Sequence, residues 1–179
     1  MVWLPTPLAF SVQMDSKYVQ LPGGKTVFEF GAIDCFTRKR VVGLAPSQTS
    51  EEGANFLRKV ISGFPFPVQA IQSDGGAEFF GHFTKTVAEL RLTHYFNRPY
   101  YPQGNGRIER SFRTDDDKFY HVQDLPTDFG GLQDALLAWN RRYESWRLHQ
   151  ALGYLTPDQF YQQWLSNQPK RKEAVSDMS

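Results

Sequence analysis

At 179 residues the chain can bury one sizeable core with a short appendage, but not two full domains. Its 40% hydrophobic and 15% aromatic content excludes a disordered chain, and no apolar run approaches the roughly 18 residues of a membrane span. Lys plus Arg (20) nearly cancels Asp plus Glu (19), so a globally basic nucleic-acid binder is excluded and any such surface must be local.

The first half reads as strands. "AFSVQMDSKYV" alternates in part and meets the turn "LPGGK"; "TVFEFGAID" is rich in β-branched and aromatic residues; "RKRVVGLAP" follows across Cys35-Phe36-Thr37. Short links between three strands predict an antiparallel meander. Thr49-Ser50-Glu51-Glu52 is a capping-box signature, and Phe56, Leu57, Val60, Ile61 and Phe64 mark one face of the helix it opens. "FPVQAIQS" is a short strand ending at Asp74, "HFTKTVAEL" a helix and "LTHYF" another strand, before the Pro- and Gly-dense loop "NRPYYPQGNG". Arg107 to Tyr120 reads as a helix. Leu132, Ala135, Leu136, Trp139, Tyr143 and Trp146 form the core stripe of the next one. Thr156-Pro157-Asp158-Gln159 starts a last helix, with Thr as N-cap, Pro at the first position and Gln closing the box.

This order predicts an α/β domain with a mixed five-stranded sheet, three antiparallel strands followed by βα units, flanked by helices. Residues 1–165 are expected to hold the core and its helical extension, and 166–179 a loose polar tail. Cys35, as the one cysteine, excludes an internal disulfide and fits a reducing interior. "MVWLPTPLAF" lacks the basic start of a signal peptide.

The chemistry rests on three acidic residues. Asp15 lies in "FSVQMDSKY", Asp74 in "IQSDGGAEF" and Glu109 in "PQGNGRIERSF". Two carboxylates at strand ends and one on a helix are what two-metal phosphoryl transfer needs, with two ions about 4 Å apart clamping the attacking and leaving oxygens. Carboxylate oxygen also suits Mg²⁺ or Mn²⁺. Each residue has a plainer reading. Asp74-Gly75 could simply make a turn; Glu109 could be a solvated helix residue paired with Arg113 at i+4; Asp15 could serve local structure in a strand that disfavours it. The combination, not any one residue, carries the reading.

At these residues the chain resembles the catalytic core of the retroviral-integrase type, in the DDE transposase superfamily, with bacterial insertion-sequence transposases as the nearest likeness. The resembling blocks are "VQMDSKY", "FGAIDCFTRKRVVG", "IQSDGGAEF", "PYYPQGNGRIERSFRTDDDKFY" and "WNRRYESWRLHQALGYLTPDQF". The resemblance implies a ribonuclease-H-like fold, with Asp15, Asp74 and Glu109 as the catalytic carboxylates and ligands of two Mg²⁺ (or Mn²⁺) ions. It implies a metal-dependent DNA strand transferase: water frees a 3′-OH, which then attacks target DNA. It further implies DNA as partner, both element ends and target, with a homo-oligomer, a bacterial cytoplasmic setting at the nucleoid and no membrane. Two departures stand out: Gly75 follows the second Asp where Asn is common, and Arg147-Leu148-His149 replaces a usual Arg-Pro-His.

Lys17, Asn105, Arg107, Arg110 and Arg113 are the candidate DNA contacts, with Tyr100 and Tyr101 beside unpaired bases. Asp34 is expected to bond turn amides. The four histidines and Cys35 lack zinc spacing. Full-length transposases of this type carry helix-turn-helix segments before the core, so weak DNA binding is expected of this polypeptide alone. The alternatives are a nuclease on the same fold that cuts without joining, or an inactive truncated or domesticated core kept for protein association.

Overall fold

The computed structural model describes residues 11–21, 24–97, 105–122 and 124–168. Ten regular elements follow in chain order: β1 (Ser11–Gln20), β2 (Thr26–Asp34), β3 (Arg40–Ala45), α1 (Ser50–Gly63), β4 (Ala70–Ser73), α2 (His82–Glu89), β5 (Thr93–Phe96), α3 (Gly106–Asp115), α4 (Phe129–Trp146) and α5 (Pro157–Ser166). Both predicted caps form. Thr49 accepts from the Glu52 N–H at the start of α1, and Thr156 and Gln159 close a reciprocal capping box on α5.

The strands form one sheet in the order β3-β2-β1-β4-β5. The meander β1-β2-β3 is antiparallel, whereas β4 and β5 add in parallel to the other edge of β1. The chain therefore reverses its build direction at β1, and β4 ends beside the middle of β1, just short of Asp15. Such a switch point is where open α/β sheets bind ligands.

Period-2 alternation gives β1 two apolar faces. Val12 and Met14, with Phe30, Ala32 and Ile71, pack under Phe56, Leu57 and Val60 of α1, Phe83 and Val87 of α2, and Phe79. On the opposite face Val19, Leu21, Val27, Val42 and Leu44 meet Phe119 and the Leu132, Leu136 and Trp139 stripe of α4. Ile33, Ile108 and Phe112 close a smaller cluster under α3. Helices thus cover both faces.

One expectation is refined and one needs correction. The predicted helix through Tyr120 stays α-helical only to Asp115; Asp116–Tyr120 is a π-helical turn. That wider turn brings Asp116 to the Lys17 ammonium and sets Tyr120 4.6 Å from it, while Phe119 stacks on Trp139. The α4 stripe ends at Tyr143, since Trp146 is 59% exposed. The expected tail beyond Gln168, with Tyr100 and Tyr101, lies outside the described residues.

One contact sets the height of α3 above the sheet. A side chain at Gly31 would meet Phe112 at 2.7 Å and Ile108 at 2.9 Å, so α3 lies directly on a bare stretch of β2. Gly31 is the register partner of Asp15. Gly31→Val is expected to lift α3 and with it Glu109. The expected readout is a lower Tm together with weaker Mn²⁺ binding by calorimetry; wild-type metal binding in a folded Gly31→Val protein would refute this spacing role.

Candidate active site

Asp15 and Asp74 meet at the switch point through strand register. Gln13 of β1 pairs with Gln72 of β4, and each Asp lies two residues further along. Two-residue steps return a side chain to the same face, so both carboxylates leave the paired strands at the same level. Asp74 does adopt a turn role, its Oδ1 accepting the Gly76 N–H at 2.9 Å, but no hairpin follows. The chain passes instead into a 3₁₀ turn, Ala77–Phe79, and then α2.

That turn carries a carboxylate the sequence reading did not single out. Glu78 is buried and accepts hydrogen bonds from the Ser16 hydroxyl and from the Gln48 amide at 2.9 Å. Its Oε2 and the Asp74 Oδ1 lie no more than 5.5 Å apart, since both flank the position a Gly76 side chain would take, at 2.5 and 3.0 Å. The turn itself is clamped by α1, because a side chain at Gly53 would sit 2.3 Å from the Glu78 carbonyl oxygen. An acidic residue four positions after Asp74, flanked by Ala77, Phe79 and Phe80, was the available signal.

Glu109 arrives on α3, whose amino end is tied to β1. Gln13 Oε1 accepts the N–H groups of Arg107 (3.1 Å) and Ile108 (3.4 Å), standing in for an N-cap side chain. Asn105, at the N-cap position, instead donates from Nδ2 to Asp15 Oδ2 at 3.1 Å. Glu109 follows directly after Ile108, one helical turn beyond Asn105, whose carbonyl accepts its N–H. It is exposed and makes no ion pair with Arg113, contrary to the i+4 expectation.

Asp15 feels all of its acidic neighbours. Burial pushes its carboxyl up to about 7; the Ser16 N–H opposes this, and the charges of Asp74, Glu78 and Glu109 add to it. Among the described residues no group of three or more His, Cys, Asp or Glu side chains is gathered tightly enough to hold a metal ion as it stands. The donor set, all carboxylate oxygen, fits a hard divalent cation.

The raised Asp15 value fixes a pH dependence. Between the ordinary 3.8 and about 7 the native state keeps a proton that the unfolded chain has released, so stability from this group falls as pH rises through that window. A cation needs the ionised form. The rise in Tm on adding Mg²⁺ is therefore expected to be larger at pH 8 than at pH 6, and Asp74→Asn should lower the Asp15 pKa in a ¹³C-carboxyl titration. An Asp15 that titrates near 4 in the wild type would contradict this.

The proposed DNA contacts divide. Lys17 points inward: its ammonium pairs with Asp116 and lies 3.4 Å from the buried Glu29 carboxyl, so its charge is engaged inside the fold. Asn105 is buried with its amide donating to Asp15, rather than free in a loop. Arg107, Arg110 and Arg113 remain exposed on α3, Arg113 on the side of Glu109 and the other two on another side. Asp34 accepts from the Thr37 N–H (2.6 Å) and hydroxyl (2.7 Å), the turn role expected of it.

Two family profiles, both described as integrase core domain, match residues 11–102 and 90–157; the first alone spans just over half of the chain. The chain belongs to the integrase core domain family. Together the profiles run from the start of β1 to the first residue of α5, and they take in Asp15, Asp74 and Glu109. A relative named putative integrase ORF3, from Spiroplasma virus SpV1-C74, is 24% identical over 169 residues. The alignment covers 83% of this integrase core but 46% of the relative, so the chain spans less than half that protein's length.

Among solved structures, the catalytic core domain of BIV integrase superposes with a TM-score of 0.67 at 22% identity, covering 88% of this chain and 97% of that one. The simian T-cell lymphotropic virus intasome, solved with PP2A regulatory subunit B56 gamma, gives 0.69 at 17% identity over 96% of this chain and 60% of that one. The HTLV-2 integrase catalytic core domain in complex with magnesium (trimeric form) gives 0.66 at 16% identity, over 85% and 95%. What these share with this integrase core is the ribonuclease-H-like fold, as the family resemblance implied.

Proposed function

We propose that this integrase core is the catalytic unit of a metal-dependent DNA strand transferase, with Asp15, Asp74 and Glu109 as the metal-binding carboxylates. The observation that carries the reading is the convergence on Asp15: the parallel β1–β4 register, the Asn105 hydrogen bond and the charges of Asp74, Glu78 and Glu109 all meet there. Mg²⁺ or Mn²⁺, two in the active complex, would neutralise charge on a phosphodiester and lower the pKa of a bound water or 3′-OH.

The chain's own residues prepare that site. Asn105 and the Ser16 N–H each hold one Asp15 oxygen, fixing how the carboxylate faces the switch point. Gln13 holds the first turn of α3 so that Glu109 can approach from above. Glu78, engaged by Ser16 and Gln48, contributes negative charge that favours a cation without being free to swing. The protein's part in the reaction is thus positioning and charge complementarity.

The magnesium-bound trimeric HTLV-2 core and the intasome relative support a metal-dependent, DNA-acting, oligomeric reading. We extend it to element ends and target DNA of the insertion-sequence kind, acted on at the bacterial nucleoid. No described helix is long and apolar enough to cross a membrane.

The test is an oligonucleotide assay with a branched substrate in which one exposed 3′-OH faces a nick. In Mg²⁺ or Mn²⁺, joined products are expected alongside cut ones. Cutting with no joining would assign a nuclease on the same fold, and neither product at any metal concentration would support an association-only core.

A further inference from the structure

A cavity of about 770 Å³ opens on the side of α3 away from Glu109. At 100° per residue, Arg107, Arg110 and Ser111 share the helix side that lines it, whereas Glu109 and Arg113 lie on another. Arg38 enters from the turn between β2 and β3, and Arg147 and His149 from the segment that ends α4. Four guanidiniums and an imidazole thus line one space, and none of its lining residues is acidic.

None of these four arginines is in an ion pair among the described residues. Arg38 donates to the Cys35 carbonyl, and Arg147 stands 5.7 Å from the ring centre of the buried Tyr143. Arg40 also lies against that ring, 3.6 Å from its centre, but its charge is paired with the buried Asp115. His149 packs edge-on to Tyr143, and its Nε2 is buried without a hydrogen-bond partner. Burial and the surrounding arginines hold its imidazole down at about 4, so at neutral pH it is uncharged with one ring nitrogen unused.

Like charges gathered without carboxylates repel, and the part-buried Arg38 and Arg147 have given up some of their hydration. An anion with several oxygens resolves both costs, and the guanidinium fork matches phosphate in a bidentate way. We propose that this cavity, separate from the carboxylate cluster, is a phosphate-binding site that grips a backbone phosphodiester of the DNA strand. The proposal rests on the reading of the chain as a DNA-acting core. Only α3, about 10 Å across, stands between the cavity and Glu109. A strand laid over the amino end of this helix would span both, about three nucleotides apart at 3.4 Å each. The Arg147-Leu148-His149 segment, unexplained by the carboxylate site, gains a role as one wall.

Two measurements on the folded chain test this. In the first, inorganic phosphate is titrated while the His149 ring protons are followed by NMR, assigned with His149→Gln. They are expected to shift saturably, and the response should weaken in Arg110→Gln and Arg147→Gln. In the second, binding of a labelled DNA duplex is followed by anisotropy across a salt series. Each of those variants should bind about tenfold more weakly, with the salt slope reduced by about 1, whereas the exposed Arg141→Gln on α4 should not.

DNA affinity falling no further in the cavity variants than in Arg141→Gln would overturn the proposal. Saturable phosphate binding without any effect of the variants on DNA would assign the cavity to a free anion and overturn the strand contact. The phosphate titration needs no DNA activity, so its success beside a failed joining assay would separate this cavity from the catalytic reading.

Discussion

Asp74→Asn and Asp15→Asn are each expected to lower metal-dependent cleavage and joining by at least about a thousandfold while the protein stays folded. The size follows from the role: a carboxylate that helps hold a cation against the reacting phosphodiester is asked for several kcal/mol of transition-state stabilisation. The amide is nearly isosteric, and Asp74 is exposed with one oxygen engaged by the Gly76 N–H, an interaction that the carbonyl oxygen of the replacing amide can keep. At Asp15 the same change removes a group that burial and three acidic neighbours already disfavour as an anion, so stability above pH 7 should rise slightly. Product analysis of the joining assay together with a thermal melt decides both points. A variant that keeps wild-type rates would sink the catalytic assignment, and one that simply unfolds would show the carboxylate to be structural.

Asp115→Ala is expected to cost about 3–5 kcal/mol, a fall in Tm on the order of 10 °C. Behind the active face, Arg40 and Asp115 form an ion pair at 2.7 Å with both side chains wholly buried. Arg40 also donates to Ser111 Oγ (2.7 Å) and Asn140 Oδ1 (2.6 Å), and Trp139 Nε1 donates to Asp115 Oδ1 (2.6 Å). This network bolts β3, α3 and α4 together, and α3 carries Glu109 and two cavity arginines. Removing Asp115 leaves a wholly buried guanidinium without its counter-charge, which costs far more than the pair itself contributes.

Glu29, next to this pair, refines the expectation. Burial and the Asp115 charge push its carboxyl up to about 8, with Lys17 and Arg40 opposing. It is therefore protonated at pH 6 and ionised at pH 9, where it can take over part of the Arg40 charge. The loss in Asp115→Ala should accordingly be larger at pH 6 than at pH 9. In the native protein the raised Glu29 value lowers stability as pH rises from the ordinary 4.5 through about 8. Glu29→Gln should for that reason be at least as stable as the wild type at pH 9. Denaturant unfolding at the two pH values checks both, and a Glu29→Gln protein clearly weaker at pH 9 would show the anion to be a needed partner.

The element order was readable because each element advertises its period locally. β2 begins and ends where "TVFEFGAID" does, and Thr49 and Thr156 cap the helices their boxes announce. The three candidate carboxylates were visible as acidic residues in local patterns, Asp74 just past a strand end and Glu109 in a helix after a Gly-rich loop, although Asp15 proves to lie in the middle of β1 rather than near its end. What escaped depends on strand order rather than local pattern. Gln13 and Gln72, 59 positions apart, become neighbours only once β4 adds parallel to β1, and only then can Gln13 serve the α3 amino end. Lys17 looked like a phosphate contact until the register set Glu29 opposite it and the π turn brought Asp116 over it. Asn105 was assigned to a flexible loop, yet its amide faces Asp15 across the folded site. Glu78 was hidden among apolar neighbours, of which Phe79 is buried with it.

The measurement that bears most directly on the central claim is a crystal of this chain soaked in Mn²⁺ at pH 8, with anomalous scattering collected at the manganese edge. The account predicts manganese in contact with Asp15 and Asp74, with Glu109 drawn in, and its loss in Asp15→Asn. Ordered manganese elsewhere, with the Asp15 carboxylate still bonded only to Asn105 and the Ser16 N–H, would contradict it.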